Sequence, residues 1–175
     1  MSIPAWHEEP ISRKHDRDSF DCGEEPLNEC LRRYAVKNHE RGGAKTFVAV
    51  ADADGASISG FYSVSPVSLD YVRTPEIVKR RLGRYDVPGF GLARLAVSRG
   101  VQGKRLGGQL LLAAGRRCLR AASETGGVML VIDAKNEGVA MWYAHYGAVP
   151  LHDARLTLVL PLATIASALK AAGQF

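Results

Sequence analysis

Residues 92–115 read LARLAVSRGVQGKRLGGQLLLAAG, and no other stretch constrains the fold as tightly. An apolar, strand-like run breaks into a loop of glycine, glutamine and basic side chains. The chain then takes up helical spacing. A helix start leaves several backbone N–H groups without internal partners, and aligned peptide dipoles concentrate positive charge there. Glycines let the main chain approach an oxyanion closely. A strand–loop–helix carrying QGKRLGG at its junction is therefore a cradle for phosphate. Two common cradles are excluded, because neither GxxxxGK[ST] nor GxGxxG at the start of a βαβ unit occurs.

The remaining segments place this junction in a mixed α/β chain. GEEPLNECLRRYAVKNHERGG predicts a helix with Pro26 in its first turn, closed by Gly42 and Gly43. Leu27, Leu31, Tyr34 and Ala35 recur at helical spacing and form its buried stripe. KTFVAVAD and SISGFYSVSP predict two strands around the turn DADGA. TPEIVKRRLGR is a short basic helix and GFGLARLAVS a strand. The long helix KRLGGQLLLAAGRRCLRAASE presents Leu106, Leu110, Ala113 or Ala114, and Ala121 on its apolar face. VMLVIDA is a buried strand, NEGVAMWYAHYG a shorter helix, RLTLVLPL a late strand and ATIASALKAA a helical tail. A hairpin followed by alternating strands and helices implies one mixed sheet in a single domain, residues 1–175.

Charge is segregated along the chain. Between Arg73 and Arg120 there are 12 Lys and Arg against 2 Asp and Glu, while the remainder holds 11 against 16. Such a field concentrates anionic partners. Cys22, Cys30 and Cys118 make an odd set without CxxC spacing, which predicts reduced thiols in a cytoplasmic protein and no metal site. No apolar run reaches the ~20 residues that span a bilayer, and the first twenty residues carry no signal-peptide core.

The order Gln102, Gly103, Lys104, Arg105, Leu106, Gly107, Gly108 resembles the acetyl-CoA loop of the GCN5-related N-acetyltransferases. The resemblance implies that this loop wraps the pyrophosphate, while Leu95, Ala96 and Val97 offer main-chain groups to the pantetheine arm. It also implies a mostly antiparallel sheet, splayed between strands 4 and 5 and flanked by helices. Arg105 stands where the family carries a glycine. A positive φ there would cost arginine roughly 1 kcal/mol or more. The first turn of the helix would accept it freely, and this second placement is preferred. A second match follows in NEGVAMWYAHYG, which is similar to the family's N-x-x-A-x-x-[FW]-Y-x-x-x-G helix. At ~100° per residue, Asn136, Ala140 and Tyr143 share one face. The resemblance makes Asn136 a cofactor-side residue and Tyr143 the general acid, since a phenol of pKa near 10 is protonated at neutral pH. His145 and Tyr146 project elsewhere. No general base emerges: Glu24, Glu25, His15 and His39 are expected at the surface or in caps.

DRDSFDCGEEPLNECLRRYAVKNHERGGAKTFVAV, GFYSVSP and VPGFGLARLAVSRGVQGKRLGG extend the resemblance to the acetyltransferase toxins of the TacT/AtaT type. It implies an α-amine of aminoacyl-tRNA as acceptor, a block of translation, a ribbon-helix-helix antitoxin as partner and possible homodimerisation. Lys79, Arg80, Arg81, Arg84, Arg94 and Arg99 are then candidates for tRNA phosphates. Arg94 serves equally well as a structural or antitoxin contact. Two alternatives stand beside this one: an ordinary N-acetyltransferase for a small amine or protein amino group, and a silent coenzyme A-binding module that lost its chemistry through Arg105.

Overall fold

The computed structural model describes residues 2–174 and begins with a strand that the sequence pattern does not announce, β1 (Trp6–Pro10). Helix α1 (Glu25–Glu29), a π-helical turn (Cys30–Tyr34) and α2 (Ala35–Arg41) follow, then the hairpin β2 (Lys45–Ala51) and β3 (Ile58–Leu69). The short α3 (Glu76–Lys79) precedes β4 (Val87–Val97), and a 3₁₀ turn (Arg99–Val101) leads into α4 (Leu106–Thr125). β5 (Met129–Asp133), α5 (Glu137–His145), β6 (Val149–Pro150), β7 (Thr157–Pro161) and α6 (Leu162–Ala171) complete the order. The seven strands pair in the order β1-β2-β3-β4-β5-β7-β6. The chain divides into two compact units, one running to Ser65 and including Ala93–Leu111, the other formed by Pro66–Leu92 and the chain from Leu112 onward.

In the first unit, β1 pairs antiparallel with β2 (Trp6↔Ala51 to Pro10↔Phe47), and β2 with β3 (Lys45↔Val64 to Val50↔Ile58). β1 escapes notice in the sequence because WHEEP is short, half-polar and ends in a proline, features that suit an edge strand. Phe20, Leu31, Ala35, Val48, Phe61 and Ala96 belong to the unit's core, and Phe20 meets Phe61 edge-to-face at 5.5 Å. Gly42 ends the helical segment in the left-handed conformation, with φ of 78°. The expected stripe fails at one position. Ala35 N–H reaches Cys30 O, an i→i+5 bond, so the turn takes one residue more and Tyr34 is 53% exposed. His15 also departs from expectation: it is buried, its Nδ1 accepts from Ser12 N at 3.0 Å and its Nε2 lies 3.1 Å from Glu9. The start of α4 sits on β3 because Gly60 has no side chain. A Cβ there would lie 2.7 Å from Leu110 Cδ1 and 2.9 Å from Ala96 O.

In the second unit β5 pairs antiparallel with β7 over five rungs, Met129↔Pro161 to Asp133↔Thr157. β4 pairs with β5 in parallel through Phe90↔Leu130, Gly91↔Val131 and Leu92↔Ile132. Among the described residues that ladder stops at Leu92, whereas β4 runs on to Val97. β5 itself ends one residue past that last rung, at Asp133, so β4 continues beyond the end of its neighbour. Leu106, Leu110, Ala114 and Cys118 form the buried stripe of α4, and Ala121 is exposed, lying beyond the last buried residue of that stripe. Burial raises the Cys118 thiol to about 12, so it packs as a small apolar group.

Candidate active site

The loop between β4 and α4 is braced from within the first unit. Gln102 Nε2 donates to Cys22 O at 2.8 Å and to Val97 O at 2.9 Å, tying the loop to the strand end and to the segment before α1. Arg99 N donates to Asp21 O at 2.9 Å, and the Arg99 guanidinium lies 3.6 Å from the Asp21 carboxylate. The Gly23 N–H, the Asn28 amide and then Arg99 hold the Asp21 carboxyl below its ordinary range. The buried Asn28 completes this support, accepting from Cys22 N at 2.9 Å and donating to Asp21 at 3.0 Å. These residues escape a reading of the sequence because FDCG looks only like the lead into a helix. Lys104 Nζ turns back on Gly100 O at 3.4 Å.

Arg105 corrects an expectation. It does not begin the helix: its φ is +69°, and Gly103 stands at +78°. Lys104 between them has no positive φ, so backbone handedness alternates through the loop, the pattern that turns successive N–H groups into an anion-binding concavity. Arg105 O accepts the first full-turn bond of α4, from Gln109 N at 3.3 Å. The amides of Leu106, Gly107 and Gly108 precede that bond and aim out of the helix start. The loop thus keeps a glycine-like conformation at an arginine. Leu95, Ala96 and Val97 lie in the part of β4 beyond its last rung with β5. These features fit a pyrophosphate with an amide-rich arm: free donors at a helix start, a concave backbone and strand groups released from a ladder.

In the second unit, Asn136 is corrected from a helix-face residue to the N-cap of α5. Its φ is −159° and its Oδ1 accepts from Val139 N at 2.9 Å. Ala140 and Tyr143 are the buried residues of α5. Trp142 meets Tyr143 edge-to-face at 4.9 Å and lies tilted against Tyr146 at 5.0 Å. Desolvation pushes the Tyr143 phenol up to about 12, and its hydroxyl has no hydrogen-bond partner among the described residues. A buried phenol that stays protonated can give a proton to a leaving anion. His145 is exposed.

The six candidate cations separate by what already holds them. Lys79 Nζ donates to Tyr71 O at 3.0 Å and lies 4.5 Å above the Tyr71 ring. Arg94 donates to Ala93 O at 2.8 Å, and Arg99 is held at Asp21. Arg80, Arg81 and Arg84 are exposed and have no carboxylate partner among the described residues. Among the described residues no group of three His, Cys, Asp or Glu could hold a metal, and no helix is long and apolar enough to cross a membrane.

No protein-family model matches the chain. It is 35% identical over 136 residues to a tRNA-acetylating toxin of Mycobacterium tuberculosis, covering 78% of this chain and 80% of that protein. It is 28% identical over 168 residues to a probable toxin TacT of Sinorhizobium fredii, covering 91% and 92%. The fold matches that of AtaT in complex with acetyl-methionyl-tRNA, with a TM-score of 0.87, 23% identity and coverage of 94% and 99%. A second AtaT structure, bound to the C-terminus of its antitoxin AtaR and to acetyl-CoA, matches with a TM-score of 0.80, 23% identity and coverage of 94% and 98%. With the glycine-rich loop, the Asn136–Tyr143 helix and this degree of identity together, the chain belongs to the TacT/AtaT-type acetyltransferase toxins of the GCN5-related N-acetyltransferase family.

Proposed function

We propose that this chain, as one acetyltransferase domain, transfers the acetyl group of acetyl-CoA to the α-amine of aminoacyl-tRNA and thereby blocks translation. The observation that carries the reading is the loop, which holds Arg105 in the left-handed region rather than abandon its alternating backbone. A silent coenzyme A-binding module would need this loop too; what it would not need is Tyr143, a buried phenol held protonated. The acceptor follows the relative at 35% identity, whose name states tRNA acetylation. The basic segment from Arg73 to Arg120 agrees with a polyanionic acceptor.

Acetyl-CoA, when bound, supplies an acetyl group activated as a thioester. The amides of Gly103, Lys104, Arg105, Leu106, Gly107 and Gly108 receive the pyrophosphate, and the side chains of Lys104 and Arg105 add cationic charge. Gln102 keeps the loop closed against Val97 and Cys22. Main-chain groups of Leu95, Ala96 and Val97 hold the pantetheine arm, and an N–H among them stabilises the oxyanion. Asn136 fixes the start of α5 and so the register of Tyr143. The acceptor nitrogen forms a bond to the acetyl carbon, the carbon–sulfur bond breaks, and Tyr143 gives its proton to the departing sulfur. The proton that the nitrogen sheds on becoming an amide passes to solvent, from which the Tyr143 phenolate is reprotonated. An esterified amino acid suits a site without a strong base, because its α-amine is readily found neutral. We further propose a ribbon-helix-helix antitoxin as partner, a homodimer as the assembly and the cytoplasm as its location.

Labelled acetyl-CoA incubated with bulk aminoacyl-tRNA should place label on the aminoacyl moiety. Label on peptides or polyamines, with none on tRNA, would instead make the chain an ordinary N-acetyltransferase.

Arg105 supplies a separate expectation. Arg105→Gly should raise stability by about 1 kcal/mol in urea unfolding by removing the left-handed penalty. The same change should weaken acetyl-CoA several-fold and flatten the salt dependence of its Kd, since one cation near the phosphates is gone. An unchanged Kd would separate the guanidinium from the pyrophosphate.

A further inference from the structure

The segment after α3 divides its residues sharply between core and solvent. Val78 at the end of α3 and Leu82 beyond it pack into the core of the second unit with Leu69, Val87, Met129 and Leu151. Lys79 fastens the same segment to Tyr71 through its carbonyl and ring. What remains points outward: Arg80, Arg81, Arg84 and a tyrosine, Tyr85, that is 82% exposed.

Tyr85 is not simply loose. A Cβ on Gly83 would lie 3.1 Å from Tyr85 Cδ2 and 3.2 Å from Cε2, so the ring rests on the bare Cα of Gly83. That support restrains the ring and leaves most of it open to solvent. Arg81 sits with φ at +71°, in a region that side chains bearing a Cβ rarely adopt. Arg81 and Arg105 are the two non-glycine residues with positive φ among the described residues. Backbone strain of this kind collects where a chain is shaped for a ligand. From Thr74 to Asp86 the cations Lys79, Arg80, Arg81 and Arg84 outnumber the acids Glu76 and Asp86.

An open aromatic ring set among unpaired arginines is the pattern that binds single-stranded nucleic acid, with bases stacking and cations holding the backbone. We infer that Tyr85, propped on Gly83, stacks against an unpaired base at the 3′ end of the acceptor RNA, while Arg80, Arg81 and Arg84 hold the adjoining phosphates. This rests on the proposed acetylation of aminoacyl-tRNA and names the surface that would select its single-stranded end.

The test uses the full chain and a short single-stranded RNA ending in CCA, with 2-aminopurine for the terminal adenine, beside a blunt duplex of the same sequence. Wild type should prefer the single strand and quench the 2-aminopurine. Tyr85→Ala should weaken binding about tenfold and abolish the quench, and Tyr85→Phe, which keeps the ring, should restore both. Replacing Arg80, Arg81 and Arg84 by Gln should lower the salt slope by roughly 0.7 for each phosphate no longer neutralised, with the quench retained at saturation. Equal binding by wild type and Tyr85→Ala, or no preference over the duplex, would overturn the inference. So would a wild type that ignores the RNA but binds a glutamate-rich peptide through this surface. Acetyl transfer to aminoacyl-tRNA, measured on the same proteins, separates the two failures. Transfer that is indifferent to Tyr85 removes only the stacking surface, whereas no transfer by wild type removes the functional reading beneath it.

Discussion

Tyr143→Phe should lower kcat for acetyl transfer by about 10²- to 10⁴-fold while leaving acetyl-CoA affinity and folding nearly intact. The ring is buried and meets Trp142 edge-to-face, so phenylalanine preserves the packing. The hydroxyl has no hydrogen-bond partner among the described residues, so its removal leaves no buried group unsatisfied. Loss of activity without loss of stability is therefore specific to a proton donor. If the variant turned over as fast as wild type, Tyr143 would be a core aromatic and the thiolate would take its proton from elsewhere.

Burial gives the same residue a distinctive pH signature. With its phenol raised to about 12, Tyr143 stays protonated across ordinary assay conditions, and its ionisation should cause no alkaline fall in kcat below about pH 11. The sign for stability follows from linkage. The folded pKa is above the unfolded value near 10, so the contribution is fully present below pH 10 and is lost as pH rises toward 12. It is on the order of 2 kcal/mol. Tyr143→Phe should remove that part of the alkaline decline, seen as a smaller difference in unfolding free energy between pH 9 and pH 11.

Periodicity makes the strands and helices of both units legible, because LARLAV, VMLVID and the leucines of α4 carry their burial in their spacing. It fails where a local irregularity changes the phase. At Tyr34, one i→i+5 bond turns a nominal core residue outward, and no propensity marks such a turn. Proximity in sequence also misleads at Arg105, where helix-forming residues on the C-terminal side disguise a left-handed position. The family resemblance points to glycine there, and the backbone retains the glycine conformation without the glycine. The bracing of the loop by Asp21, Cys22 and Asn28 is out of reach for another reason. Gln102 meets Cys22 across 80 residues of chain, and nothing in either local pattern announces the bond. Likewise, charge alone groups six cations together, whereas partners separate them: Asp21 holds Arg99 and Tyr71 holds Lys79, while Arg80, Arg81 and Arg84 remain open.

Gly89→Ala should be strongly damaging to the second unit. A Cβ at Gly89 would lie 2.7 Å from both Met129 Cγ and Met129 O. The side-chain carbon can yield, but the carbonyl belongs to β5 and is fixed by five rungs with β7. Relief must therefore come from moving β4 away, next to the first rung of a parallel ladder that has only three. Val87 and Met129 are fully packed there, so displacement opens the core as well. Overpacking of this kind costs typically 1–3 kcal/mol, and a backbone obstacle places Gly89→Ala toward the upper end, about 3 kcal/mol. For a chain of this size the melting temperature should fall by roughly 6–12 °C. Gly100→Ala is the matched control, since a Cβ there meets nothing within 4 Å and its φ is not positive. It should be neutral or stabilising by less than about 1 kcal/mol, through a less flexible unfolded chain. Equal melting temperatures for the two variants would mean that β4 and β5 can separate freely at Gly89. The ladder from Phe90 to Leu92 would then be too weak to hold β4 against β5.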